Sequence, residues 1–176
     1  MNKAIIRYIL GWILMLEGIM LLLPCLVAVI CRERCGWYFV LVAACSFFAG
    51  LLIRWKKPEN PMFYLKEGCI ATALSWISIS VVGCLPFCLS GEIPSFVDAL
   101  FEMVSGFTTT GASILVDVEA LSYCMLFWRS FSHWLGGMGV LVFLLAVIRM
   151  SGGSHMNLMR AESTGPSVGK LVPKVR

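Results

Sequence analysis

Between Tyr8 and Cys31 the sequence is apolar apart from Glu17, and a helix needs about 20 such residues to cross a bilayer. Three further stretches share this character: Gly36 to Ile53, Gly68 to Pro86-Phe87, and Leu126 to Ile148. Inside lipid each backbone N–H and C=O needs a partner within the protein, which confines spans of this kind to helices. Composition agrees. Hydrophobic residues make up 59% of the chain and charged residues 14%, against about 25% charged in a soluble domain, so a water-facing surface cannot be assembled from this material. The first stretch is longer than a secretory h-region of about 7–15 residues and no A-x-A site follows it, so we read it as a retained membrane helix. The expected fold is all-α integral membrane, with four spans in a lipid bilayer.

Lys and Arg mark the cytoplasmic side of such proteins. Lys3 and Arg7 precede the first span; Arg54, Lys56, Lys57 and Lys66 lie between the second and third; Arg149, Arg160, Lys170, Lys174 and Arg176 follow the fourth. Only Arg32, Arg34 and Arg129 of the 14 basic residues fall on the other side. A multi-pass plasma membrane protein with both termini cytoplasmic is expected. The basic residues sit at span ends and form no face for nucleic acid.

The stretch between the third and fourth spans is unlike a simple loop. Residues 91–119 hold Glu92, Asp98, Glu102, Asp117 and Glu119 and no Lys or Arg. Within them Phe96, Leu100, Phe101, Val104 and Phe107 recur at spacings of three and four, which predicts a short amphipathic helix over about 95–107. Pro94 and Ser95 give its start, with Asp98 in a near capping-box position. The run Thr108-Thr109-Thr110-Gly111-Ala112-Ser113 follows. A helix ending there aims the negative end of its dipole at that run. Small residues and a glycine let extended backbone approach an axis and turn successive carbonyls toward a desolvated cation. The acids above it concentrate cations at the mouth. An ordinary Thr/Gly-rich loop is the competing reading, and the string alone does not separate the two. The flanking helix, the two spans and the acidic surroundings favour cation binding.

Three motifs stand in order here: Phe101-Glu-Met-Val-Ser-Gly-Phe-Thr-Thr-Thr-Gly-Ala-Ser113, Phe127-Trp-Arg-Ser-Phe131 and Trp134-Leu-Gly-Gly-Met-Gly139. Together they resemble the first pore unit of the Trk/Ktr family of potassium-uptake membrane subunits, and Arg160-Ala-Glu-Ser-Thr-Gly-Pro166 resembles the family's connection to a second unit. The resemblance covers the chain from about Ala99 onward; the two leading spans match the Trk branch by topology alone. It implies potassium-channel-like architecture: a helix pair over 1–58, an M1–pore helix–filter–M2 unit over 59–150, and a cytoplasmic linker over 151–176. The filter would be residues 108–113, with main-chain carbonyls of Thr108 to Ala112 lining potassium sites and Gly111 as the filter glycine. The resemblance implies potassium as the substrate, with no other metal or cofactor. The family's pore takes four such units, whereas one filter string occurs here, so a truncated part of a longer transporter is expected, inactive alone. A small homotetrameric cation channel and a non-transporting membrane interaction protein are the alternatives. The resemblance also implies partners: the remaining pore units, a dimer of the full subunit, and a cytosolic nucleotide-binding regulatory ring docking on residues such as 150–176.

Other residues were weighed on their own chemistry. Arg129, one turn into the fourth span, either snorkels to the outer interface or pairs with Glu102 or Asp98; a charge at that depth wants a partner, which favours the pair. Gly136, Gly137 and Gly139 suit close helix packing more than a gating hinge. Glu17 is read as a protonated or hydrogen-bonded structural residue, and His133 and Met103 as structural. Of the eight cysteines, most lie in apolar stretches as small hydrophobes; Cys31 and Cys35 either form a disulfide or, as we prefer, stay free. No Ser/His/Asp set, carboxylate pair or phosphate loop is present, which argues against an enzyme.

Overall fold

The computed structural model describes residues 3–55 and 65–150; side chains are described for most of these. The expected linker over 151–176 lies outside the described residues. Six helices follow in order: α1 (Lys3–Met20), α2 (Leu22–Cys31), α3 (Gly36–Arg54), α4 (Leu65–Ser90), α5 (Phe96–Phe107) and α6 (Tyr123–Met150). The described residues contain no strand.

The expected first span is divided in two. Pro24 has no N–H for the carbonyl of Met20 and its ring crowds that turn, so regular helix is interrupted at Leu21. The axis nevertheless continues, and Lys3–Cys31 qualifies as one candidate span. Arg32 ends α2 in the left-handed region at φ 57°, returning its N–H to Ala28 and Val29. That turn sends the chain back into α3. The returning helix packs on α1 through backbone contact: a Cβ on Gly11 would lie 2.8 Å from the Gly50 carbonyl oxygen. Ser46 Oγ donates to Leu14 O at 2.8 Å across the same seam, and the Arg54 guanidinium lies 3.8 Å from the Trp12 ring centroid. Small residues at a helix seam are the usual device of membrane packing.

α4 passes through Pro86 and ends at Ser90, beyond the sequence boundary at Pro86-Phe87; packing against α5 and α6 holds the helix past the proline. α5 lies between α4 and α6, and α2 also touches α6. Trp128 of α6 sits at the junction. It is fully buried, donates Nε1–H to Gly83 O of α4 at 2.9 Å, and meets Phe39 of α3 and Phe107 of α5 edge-on at centroid distances of 6.4 and 6.2 Å. Around it Cys84, Phe87, Met103 and Met125 complete the core. Outward residues such as Ile30, Trp37, Leu52 and Trp55 are exposed, as expected of surfaces facing hydrocarbon.

Among the described residues three helices are long and apolar enough to cross a membrane: Lys3–Cys31, Gly36–Arg54 and Glu67–Ser90. α6 spans 28 residues, beginning at Tyr123 rather than near Leu126.

Candidate ion-coordination site

α5 starts where local chemistry places it. Ser95 is extended (ψ 121°) and its hydroxyl accepts the Asp98 N–H at 3.4 Å. One face of α5, carrying Ala99, Glu102, Met103, Ser105, Gly106 and Phe107, is buried. Its end is closed by a Schellman turn. Thr109 N donates to Gly106 O at 2.9 Å and Thr110 N to Ser105 O at 3.0 Å, with Thr109 at φ 57° in the left-handed position. Thr108 adds its N–H and its hydroxyl to Val104 O, at 2.9 and 2.7 Å. The carbonyls of Val104, Ser105 and Gly106 are thus satisfied, which narrows the sequence expectation of a helix end made of unpaired carbonyls.

A β-branched residue with positive φ is strained, by about 1–3 kcal/mol. Thr109 carries that strain where the chain turns from α5 into the Thr/Gly run. Gly111 also has positive φ (77°), and a Cβ there would meet nothing within 4 Å. Glycine is needed at 111 for backbone conformation and not for room. Thr108 to Ser113 are all exposed. The carbonyls of Thr109, Thr110 and Gly111 accept no hydrogen bond among the described residues, whereas Ala112 O accepts from Ser105 Oγ at 2.5 Å. Ser105, which the sequence reading left out, therefore holds the run twice, through its carbonyl and its hydroxyl. A second tie is Thr108 Oγ1 against Thr110 Oγ1 at 2.8 Å.

The descending side of the run hangs from one carboxylate. Glu102, 1% exposed, accepts from Ser113 Oγ and the Ile114 N–H, both at 3.1 Å to Oε2. Its Oε1 is ion-paired with Arg129 Nε. Of the two acids weighed for Arg129, the structure brings Glu102 to it, while Asp98 serves the α5 cap through its amide. The Arg129 carbonyl in turn receives Ser132 Oγ at 2.6 Å and faces His133 Nδ1 at 2.9 Å. The three glycines of α6 differ. A Cβ on Gly136 would fall 2.0 Å from Phe107 O, one on Gly139 3.2 Å from Trp76, and one on Gly137 no nearer than 3.9 Å to Thr109. Gly136 is one position where α6 and the end of α5 touch; Gly106 against Ser132 is another.

Two acids absent from the sequence-derived site fix α6. The Tyr123 and Cys124 amides donate to Glu33 Oε1 and Oε2 at 2.8 and 3.0 Å. The Ser122 amide and hydroxyl donate to Glu92 Oε2 and Oε1 at 3.0 and 2.6 Å. Carboxylates at a helix N-terminus meet both its free N–H groups and its dipole. Burial pushes the Glu33 carboxyl up, but hydrogen bonds from Cys124 and Tyr123 amides and from the Cys124 and Cys35 thiols outweigh it, leaving the pKa below the ordinary carboxylate value. Glu17 is buried and neither of its oxygens has a hydrogen-bond partner among the described residues.

A helical hairpin, a long third helix, a short half-helix, an exposed Thr/Gly run and a long following helix make up an all-helical protein with membrane-length spans. The chain belongs to the TrkH cation transport protein family, whose model matches residues 38–175. It is 40% identical over 148 residues to an uncharacterized cation transporter of Methanocaldococcus jannaschii, covering 84% of this chain and 31% of that one. It is 36% identical to the Trk system potassium uptake protein TrkH of Salmonella typhimurium, covering 98% of this chain and 36% of the relative. The crystal structure of the potassium transporter TrkH from Vibrio parahaemolyticus superposes with a TM-score of 0.77 at 30% identity, over 92% of this chain and 36% of that chain. The chain thus spans about a third of the length of these relatives. They are transporters, in keeping with a non-enzymatic role at the level of the family.

Proposed function

We propose that this chain supplies one filter unit of a potassium-uptake pore in a bacterial plasma membrane, with α4 as M1, α5 as pore helix, residues 108–113 as filter strand and α6 as M2. The observation that carries this is the Thr109–Gly111 backbone: exposed, strained at Thr109, its carbonyls accepting no hydrogen bond among the described residues, while its flanks are tied down by Ser105 and Glu102. Such carbonyls replace a cation's hydration shell when further strands close the ring. The names of the potassium-transporting relatives support potassium as the ion. In this reading α6 is a fourth span, the basic ends face the cytoplasm, and the acids of 91–119 face outward. A dimer of the complete subunit and a cytosolic nucleotide-binding ring belong to the same proposal.

The test is Gly111→Ser in the complete transporter, expressed in a host lacking other potassium uptake. Growth at low potassium and rubidium uptake are expected to fall while sodium permeation rises, with the protein still folded because no atom crowds position 111 and the strain of a side chain at positive φ stays within the exposed run. Unchanged growth and ion preference would overturn the filter assignment.

A further inference from the structure

Eight cysteines are present, and two of them meet across the fold. Cys35, in the turn between α2 and α3, lies with Sγ 2.7 Å from Sγ of Cys124 in the first turn of α6, 89 residues away in sequence. Cys35 is half-buried and Cys124 buried. Glu33 Oε2 is 3.6 Å from the Cys35 sulfur, and Ser122 Oγ is 3.4 Å from it. The three ligand-type side chains Glu33, Cys35 and Cys124 lie together at one point where two separate parts of the chain join.

Two chemistries suit such a cluster. A metal held by both thiolates at about 2.3 Å with tetrahedral angles holds its sulfurs about 3.8 Å apart. A disulfide needs about 2.05 Å. From 2.7 Å the sulfurs approach by about 0.7 Å for the bond but separate by about 1.1 Å for the metal. The acid is also occupied, since both Glu33 oxygens already accept the α6 amides.

We propose that Cys35 and Cys124 are a disulfide-forming pair that bolts the leading hairpin to the start of α6, oxidised on the outer side of the membrane by a dithiol–disulfide oxidase. The cellular step rests on the outward orientation of residues 91–119 proposed above, because that is the side where disulfides persist. Cys35, the accessible thiol, loses its proton to solvent and attacks one sulfur of the oxidant's disulfide. A mixed disulfide forms and one oxidant thiolate leaves. Cys124 then attacks the Cys35 sulfur, forming the intrachain bond and releasing the second oxidant thiolate. Two electrons pass to the oxidant, and the two thiol protons end on its two sulfurs.

The test uses the protein in its native membrane. Free thiols are blocked with N-ethylmaleimide under denaturing conditions, the protein is reduced, and newly exposed thiols are labelled with a heavy maleimide. Two labels per chain are expected after dithiothreitol, with a Cys35–Cys124 cross-linked peptide in the mass spectrum. Cys35→Ser and Cys124→Ser each abolish the protection and Cys31→Ser leaves it; the peptide spectrum of the unaltered protein decides the matter if a variant fails to fold. The purified protein treated with oxidised glutathione is expected to give the same peptide, and its absence there overturns the pairing itself. Protection released by a chelator instead of dithiothreitol identifies a bound metal and also overturns it. If the bond forms with glutathione but not in cells, a Val116→Cys reporter and a membrane-impermeant maleimide locate the fault. A silent reporter means that the orientation failed; a labelled one means that the cellular oxidation is refuted with the orientation intact.

Discussion

Arg129→Met removes the cation that faces Glu102 and leaves a carboxylate, 0% exposed at its side chain, inside the protein. Removing one partner of a buried pair costs about 3–5 kcal/mol. Glu102→Gln is milder, about 2–3 kcal/mol, because Arg129 is 15% exposed and can turn outward, while the amide oxygen still accepts from Ser113 or Ile114. In the double variant no charge is stranded, so its cost should fall short of the sum of the singles by ~2 kcal/mol or more, about 30-fold in the balance between docked and released Thr/Gly run. Thermal unfolding of the purified complete transporter reads the stability side. Rubidium uptake and potassium-over-sodium preference read the strand. The reasoning predicts that Arg129→Met loses uptake and preference together and that adding Glu102→Gln restores part of both. Costs that add to within ~0.5 kcal/mol, or a single variant with unchanged ion preference, would refute the view that this pair suspends the strand.

Gly136→Ala puts a methyl against the Phe107 carbonyl and should cost about 1–3 kcal/mol, whereas Gly137→Ala should be nearly neutral; yield of monodisperse protein and its melting temperature separate them. Thr109→Gly relieves the left-handed strain and should raise the melting temperature slightly while loosening ion preference, since the freed turn no longer fixes the carbonyls that follow. Because the Glu33 carboxyl in the folded protein sits below its ordinary value, its stabilising contribution is complete above the unfolded carboxylate range and is lost as pH falls through the lowered folded value. Glu33→Gln should therefore flatten the acid side of the stability profile, and Glu33→Ala should cost on the order of 1 kcal/mol at neutral pH.

Features set by neighbouring residues were readable in advance. The Ser95–Asp98 cap and the three-and-four spacing of Phe96 to Phe107 placed α5 to within a residue, and three of the four expected spans followed from the bilayer's length requirement. The Arg129–Glu102 pair was within reach because an intramembrane charge calls for a partner and few acids were near. Pro24 is a local signal too: it breaks α1 from α2 inside a stretch of uniform apolar character. Other features depend on where distant segments land. Nothing near Tyr123 shows that Glu33 caps it from 90 residues away, and nothing near Ser105 shows that its hydroxyl reaches over the turn to Ala112. Sequence proximity pairs Cys31 with Cys35, while the fold sets Cys35 against Cys124.

The two acids at the head of α6 also order events in time. Glu33 leaves the ribosome 90 residues before Tyr123, which at about 5–20 residues per second is a delay of about 5–18 s. By then the hairpin of α1 to α3 has been made and Glu92 stands at the end of α4. α6 then enters to find its first turn already prepared by two separate arms of earlier chain. The leading hairpin, which contributes no carbonyl to the Thr/Gly strand, thus acts as an assembly jig: shorten it or remove its acid, and the fault should appear first in how the following helix is inserted.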